Sequence, residues 1–145
     1  MRKNRYKQIV AVHLILRQNE KILFQLRKNT GYGDGSYSLP GGHVEAQETA
    51  ITALQREMQE ELCIEFDEKD ISLAHVSHRN GNDHERIDFF FSTKKWRGEV
   101  TNGEPDKCDG FCWATSDSVP GNLVDYIASA LKYVEAGEVY SQFGW

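Results

Sequence analysis

Residues 42–64 read GHVEAQETAITALQREMQEELCI, and this stretch decides how the rest of the chain is interpreted. From Ile51 to Leu62, apolar residues recur at intervals of three and four, the spacing that places them on one face of an α-helix. Thr49 is suited to be the N-cap, because its hydroxyl can accept a hydrogen bond from an otherwise unpaired backbone N–H of the first turn. The sequence therefore predicts an amphipathic helix over Thr49–Leu62 that packs against a core.

Three glutamates, Glu57, Glu60 and Glu61, lie in the last turn and a half of this helix, clear of its apolar face. Acidic residues there oppose the helix macrodipole, and like charges three or four positions apart repel one another. A hard divalent cation such as Mg²⁺ would offset this cost, because it prefers carboxylate oxygen ligands. A solvated acidic face is the alternative, and the three glutamates by themselves leave it open.

Strands are predicted on both sides of the helix. Ile9–Leu16 and Lys21–Leu26 form a hairpin pattern, and the first run is too short to span a bilayer. Three glycines between Thr30 and Ser36 predict a loop. The remaining predicted elements are short strands at Ser36–Leu39, Ile71–Ser77, Ile87–Thr93 and Phe111–Ala114, and a second helix over Leu123–Val134 that stops near Gly137. This order predicts a mixed α/β sandwich.

Length and charge limit the functional classes. The 145 residues suffice for one domain, and 17 basic against 22 acidic residues leave a net charge of −5. An acidic chain lacks the basic surface that binding to a nucleic acid polymer or to an anionic membrane requires. The three cysteines, Cys63, Cys108 and Cys112, are an odd number in a domain large enough to fold without disulfides, which favours a reducing, cytoplasmic location. The oligomeric state is left open.

The string Gly42-x5-Glu48-x7-Arg56-Glu57-Met58-Gln59-Glu60-Glu61-Leu62-Cys63-Ile64, preceded by Pro40-Gly41, resembles the signature of the Nudix hydrolases. Every fixed position agrees except one, because Cys63 stands where the family has glycine. That position lies just past the helix, where glycine would relieve a positive φ. The departure concerns local stability, since the residue is not among the metal ligands of the family.

The resemblance implies a Nudix-type α/β/α sandwich with a mixed sheet between helices. We expect the domain to comprise residues 5–137, followed by a C-terminal tail at 138–145. It also implies hydrolysis of a nucleoside diphosphate linked to another group, with Mg²⁺ or Mn²⁺ as cofactor. A small nucleotide is the expected partner.

The resemblance assigns roles position by position. Glu57 matches a glutamate that binds metal or acts as the base, and Glu60 and Glu61 match metal-binding glutamates, so these three are the candidate catalytic residues. The Gly41 carbonyl matches a backbone metal ligand. Glu48 and Arg56 match a structural ion pair that holds the loop on the helix.

Five further residues are candidates that also have plainer explanations. Gly42 lacks a side chain, so the backbone there can approach a phosphate, and His43 follows it directly but could simply be exposed. Arg27 matches a position at which similar members of the family often have a phosphate-contacting arginine, although arginine at a strand end is usually solvated. Glu104 could be an extra metal ligand or an ordinary loop acid, and Trp113 could stack on a base or belong to the core.

The substrate class is predicted from two segments. The stretch Glu104–Cys108, with Trp113 following, resembles the MutT-like nucleoside triphosphate pyrophosphohydrolases. The segment Ser77–Asn82 lacks the proline and the tyrosine that mark ADP-ribose and dinucleoside polyphosphate hydrolases. The favoured reaction is hydrolysis of a nucleoside triphosphate to monophosphate and pyrophosphate. The alternatives are another nucleotide such as ADP-ribose, or a nucleotide-sensing module without turnover.

Overall fold

The computed structural model describes residues 3–145. Within this range the chain forms eight strands and two α-helices. In chain order they are β1 (Ile9–Gln18), β2 (Lys21–Arg27), β3 (Tyr37–Ser38), β4 (Gly41–His43), α1 (Ala50–Leu62), β5 (Ser72–Asn80), β6 (Glu85–Thr93), β7 (Cys108–Ala114), α2 (Asp125–Glu135) and β8 (Tyr140–Phe143). None of the helices in this range is long and apolar enough to cross a bilayer.

The strands form one mixed sheet in the order β3-β2-β1-β6-β5-β8, with β4 also paired to β1 and β7 to β2. The pairs β1–β6 and β5–β8 are parallel, and the others are antiparallel. Strand β1 turns from one partner to another along its length. It pairs with β4 from Ala11 to His13 and with β2 only at Arg17 and Gln18. The predicted mixed sheet is confirmed.

Alternate side chains of β1 face opposite helices, as the period of two in a strand requires. Val12, Leu14 and Leu16 are buried in the cluster that contains the apolar face of α1. Ile15 is buried in a second cluster together with Ile127 and neighbouring residues of α2. The sheet therefore lies between the two helices, and the α/β/α sandwich is confirmed.

Helix α1 begins and ends as its sequence predicts. The Thr49 hydroxyl accepts a hydrogen bond from the Thr52 N–H at 3.1 Å. Leu54, Met58 and Leu62 are fully buried on the core side. Cys63 closes the helix in the left-handed region, with φ 58° and ψ 34°. The positive φ predicted there is confirmed, and a non-glycine residue in this conformation costs about 1 kcal/mol.

The C-terminal segment differs from the prediction. Residues 138–145 were expected to be a tail outside the domain, yet Tyr140–Phe143 form strand β8 along the edge of the sheet. The fully buried His75 holds this strand, with Nδ1 2.8 Å from the Glu138 carbonyl and Nε2 2.7 Å from the Ser141 hydroxyl. Four residues show too little alternation to predict a strand, and only the pairing with β5 makes it one.

Candidate active site

A cleft of about 980 Å³ opens between the C-terminal half of α1, strand β4, the loops after β2 and β5, and the start of α2. It brings together nine of the residues that the sequence singled out: Arg27, Gly41, Gly42, His43, Arg56, Glu57, Glu60, Glu61 and Glu104. Glu48 does not line the cleft. It contacts Arg56, which does line the cleft.

The glycine pair lets the helix approach the sheet closely. The Gly41 N–H donates a hydrogen bond to Glu61 Oε2 at 3.0 Å. A Cβ atom at Gly41 would overlap the Val12 carbonyl, and one at Gly42 would overlap the Glu57 carboxyl group. Gly41 is therefore required by the close pairing of β4 with β1, and Gly42 leaves the space that the Glu57 carboxyl group occupies.

Arg56 braces the glutamates and the loop before the helix. Its Nε and Nη2 donate to the two Glu48 carboxylate oxygens at 2.7 and 2.9 Å, a bidentate pair, and Nη2 also reaches the His43 carbonyl at 3.1 Å. The hydrogen bond from Arg56, with a second from the Glu45 N–H, lowers the pKa of Glu48 to about 2. The ion pair that the family resemblance implies is present.

The three candidate glutamates have different surroundings. Burial raises the pKa of Glu57, although its Oε1 accepts a 2.9 Å hydrogen bond from Arg56 Nη1. Burial, and then the negative charges of Glu57 and Glu104, raise the pKa of Glu61 well above its ordinary value. Glu60 is exposed, with Oε2 3.6 Å from Arg56 Nη1. The cleft thus concentrates negative charge that the protein neutralises only in part.

These residues fit a divalent cation by their chemistry. Within residues 3–145, no three acidic, histidine or cysteine side chains converge on one point in the present rotamers. Glu57 instead pairs with Arg56, and Glu61 bonds to the Gly41 N–H. Carboxylate oxygens are nevertheless the ligands that Mg²⁺ prefers, and a cation would relieve the repulsion that raises the pKa of Glu61.

Arg27 organises a loop at the cleft. Its Nε donates to the Tyr32 carbonyl at 2.6 Å and its Nη2 to the Thr30 hydroxyl at 3.0 Å, and its guanidinium lies 5.7 Å from the centre of the Tyr32 ring. The loop is closed by the Asp34 carboxylate, which accepts bonds from Thr30 and Gly31. Arg27 therefore uses two of its five N–H donors to hold the loop that carries Tyr32.

The other candidates divide between the cleft and the core. Glu104 lines the cleft, with its carboxylate 3.9 Å from Lys107 Nζ. His43 Nε2 lies 3.1 Å from Arg86 Nη1, and desolvation together with this positive charge lowers the pKa of His43. Trp113 stacks on Trp96 in the cluster beneath α1, which supports the core interpretation.

Sequence reasoning missed a polar network on the α2 face of the sheet. Asp88, fully buried, accepts hydrogen bonds from Arg79 Nε at 2.7 Å and from His13 Nε2 at 3.1 Å. The Arg79 guanidinium lies over the Tyr126 ring, with Cζ 3.7 Å from its centre. The available signal was a polar residue within an apolar run, His13 in β1 and Asp88 in β6. Strand alternation assigns each of them to one face of the sheet.

We expect Asp88→Asn to destabilise the protein more at neutral pH than in acid. Burial alone would raise the pKa of Asp88, but hydrogen bonding and charge from His13 and Arg79 lower it to about 2. The carboxylate therefore stabilises the fold above pH 4, and this stabilisation is lost as the pH falls from about 4 to about 2. The loss at pH 7 should be about 3 kcal/mol, because a buried arginine loses its partner.

Urea unfolding of both proteins across this pH range measures the effect. The difference in the free energy of unfolding between wild type and variant should narrow by about 2 kcal/mol on acidification. The wild type then loses the stabilisation by the Asp88 carboxylate, which the variant already lacks. A difference that stays constant from pH 7 to acid would contradict the assignment.

The comparisons with known proteins agree with this fold and cleft. The family model described as NUDIX domain matches residues 7–134, and the chain therefore belongs to the NUDIX family. An 8-oxo-dGTP diphosphatase of Proteus vulgaris is 30% identical over 92 residues, which cover 63% of this chain and 80% of that protein. The resemblance drawn from residues 42–64 is confirmed.

Solved structures point the same way. A MutT NUDIX hydrolase from Burkholderia pseudomallei superposes with a TM-score of 0.79 at 26% identity, covering 88% of this chain and 98% of that one. A MutT protein from Methanosarcina mazei Go1 shares the fold with a TM-score of 0.78 at 20% identity, covering 92% and 97%. The protein is a MutT-like Nudix hydrolase.

Proposed function

We propose that the protein hydrolyses a nucleoside triphosphate to the monophosphate and pyrophosphate, with Mg²⁺ or in its place Mn²⁺. The observation that carries the proposal is the partly neutralised acidic cluster in the cleft, where burial raises the pKa of both Glu57 and Glu61. The relative from Proteus vulgaris, named an 8-oxo-dGTP diphosphatase, supports a nucleotide substrate.

The metal would be held by the carboxylates of Glu57, Glu60, Glu61 and Glu104, together with the Gly41 carbonyl. A bound divalent cation supplies positive charge that offsets the charge developing on the phosphate oxygens. This contribution matters in a chain of net charge −5, which otherwise repels a polyphosphate.

The chain itself binds the phosphates and moves the proton. Glu57 accepts the proton of the attacking water, and its raised pKa brings it closer to the neutral range in which a general base works best. Gly42 lets the backbone approach the phosphates, and Arg27 and His43 contact them from the rim of the cleft. Arg56 and Glu48 hold the helix and loop in place around these groups.

We place the enzyme in a reducing compartment, the cytoplasm, because Cys63, Cys108 and Cys112 are all free thiols. Its partner is a small nucleotide. The cleft is suited to a small nucleotide because acidic, basic and aromatic side chains line it together.

Product analysis tests the reaction. We expect ³¹P NMR of a panel of nucleoside triphosphates, incubated with the protein and Mg²⁺, to show monophosphate and pyrophosphate. These products are expected if water breaks the bond between the α- and β-phosphates at the acidic cluster. Diphosphate and orthophosphate as sole products would contradict the proposal, as would exclusive activity on ADP-ribose or a dinucleoside polyphosphate. Nucleotide binding without any turnover would instead establish a sensing module.

A further inference from the structure

Arg79 is held in one orientation from behind. Its Nε and Nη2 reach the two oxygens of Asp88 at 2.7 and 3.3 Å, and Asp88 is in turn fixed by His13 Nε2 at 3.1 Å. Arg79 is 8% exposed and Asp88 is fully buried. Because Asp88 is buried and also bonded to His13, it holds the Arg79 guanidinium in one position.

An aromatic ring packs against the Arg79 guanidinium, and a second ring lies close to the first. Tyr126, in the first turn of α2, lies under the guanidinium, with 3.7 Å between Cζ and the ring centre. Tyr32, on the loop that Arg27 organises, lies with its ring centre 6.4 Å from that of Tyr126. All three side chains line the cleft. This part of the cleft therefore places two aromatic rings beside a guanidinium, a combination that favours contact with a planar ligand.

One hydrogen-bonding edge of Arg79 is free. A guanidinium has two edges that can each donate a parallel pair of N–H bonds. Asp88 occupies the edge formed by Nε and Nη2, and Nη1 contacts no protein acceptor within residues 3–145. The edge formed by Nη1 and Nη2 remains for a ligand that offers two adjacent acceptors in one plane.

The position of Arg79 separates it from the phosphate end of the cleft. Along the sheet, β4 with its glycine pair, β1, β6 and β5 follow one another. Three strand spacings, about 14 Å, thus separate the glycines from the strand of Arg79. The acidic cluster lies beside those glycines. A nucleotide with its phosphates at the glutamates would therefore place its base near Arg79.

We propose that Arg79, positioned by Asp88 and His13 and backed by Tyr126, determines base specificity by donating two hydrogen bonds to adjacent acceptors on a nucleobase edge. Guanine offers O6 and N7, and cytosine offers O2 and N3. Adenine and thymine alternate donors and acceptors and cannot satisfy both N–H groups. The proposal rests on the proposed nucleotide hydrolysis and adds the class of base.

Arg79→Lys is the decisive variant, because it keeps a charge for Asp88 but lacks the planar fork. Binding of dGMP, dCMP, dAMP and dTMP is measured by calorimetry in the presence of a chelator. The wild type should bind dGMP and dCMP more tightly than dAMP and dTMP. In the variant these two should lose about tenfold or more, with dAMP and dTMP little changed. Arg97→Lys, at an exposed position far from the cleft lining, is the matched control.

The kcat/KM ratio between dGTP and dATP supplies a second measurement, in which any loss of folded protein cancels. A fall of this ratio toward one in Arg79→Lys supports the proposal. Equal weakening of all four nucleotides would mean that Arg79 contacts phosphate or sugar, and it would overturn the proposal, as would no change. Base-selective monophosphate binding that depends on Arg79, found without triphosphate turnover, would refute the proposed hydrolysis while supporting the role of Arg79.

Discussion

Glu57→Gln and Glu61→Gln are each expected to lower kcat by about 10²–10⁴ while the fold stays intact. Glutamine keeps the size of the side chain and nearly the same helix propensity. Each change also removes a negative charge that is costly in place, because both carboxylates are desolvated and Glu61 faces Glu57 and Glu104. The melting temperature of the metal-free protein should therefore stay level or rise, whereas turnover loses a metal ligand or the base.

Glu48→Gln is the matched comparison, since it is the same substitution outside the cleft. It breaks the bidentate pair with Arg56, so stability should fall before activity does. Steady-state kinetics and thermal unfolding on the three variants separate the two patterns. If both cleft variants retained the wild-type rate on a substrate that the parent hydrolyses, the glutamates would be only a solvated acidic face.

Removing divalent metal is expected to reduce turnover to the background rate, and Mg²⁺ added in excess should restore it. The physical reason is the charge of the cleft, where Glu57, Glu60, Glu61 and Glu104 would otherwise face an anionic substrate. Metal that binds only the folded state also stabilises it, by about 2.7 kcal/mol at a concentration one hundred times its dissociation constant.

Thermal unfolding with and without Mg²⁺ measures this second effect independently of any substrate. The increase in melting temperature should shrink in Glu57→Gln and in Glu61→Gln, while Arg97→Lys should keep the full increase. Full turnover in excess chelator would rule out the metal requirement.

Local pattern was sufficient to predict α1. The spacing from Ile51 to Leu62 is a property of the helix itself, so both its apolar face and its acidic face could be predicted without knowing what packs on them. The left-handed conformation at Cys63 was predicted for a similar reason, because helices commonly end with a residue in that conformation. The family resemblance then assigned roles to the glutamates, and the cleft brings them together.

The contacts around Arg79 could not be predicted in this way. His13 and Asp88 are 75 positions apart and meet only because β1 and β6 are parallel neighbours. Arg79 and Tyr126 come from β5 and α2, and nothing within either segment indicates the other. In the sequence, His13 is one polar residue inside an apolar run, and its partner is invisible there.

The amino-acid sequence by itself determined the family, the sandwich and the acidic cluster, because periodicity and motif are local properties that survive without their surroundings. The tertiary structure alone decided that Tyr140–Phe143 is a strand, that Arg27 holds the Tyr32 loop, and that Arg79 lines the cleft. These features depend on strand order and on buried hydrogen bonds between distant segments. Such contacts exist only once the chain has folded, since a buried polar group must find its partner wherever the fold places it.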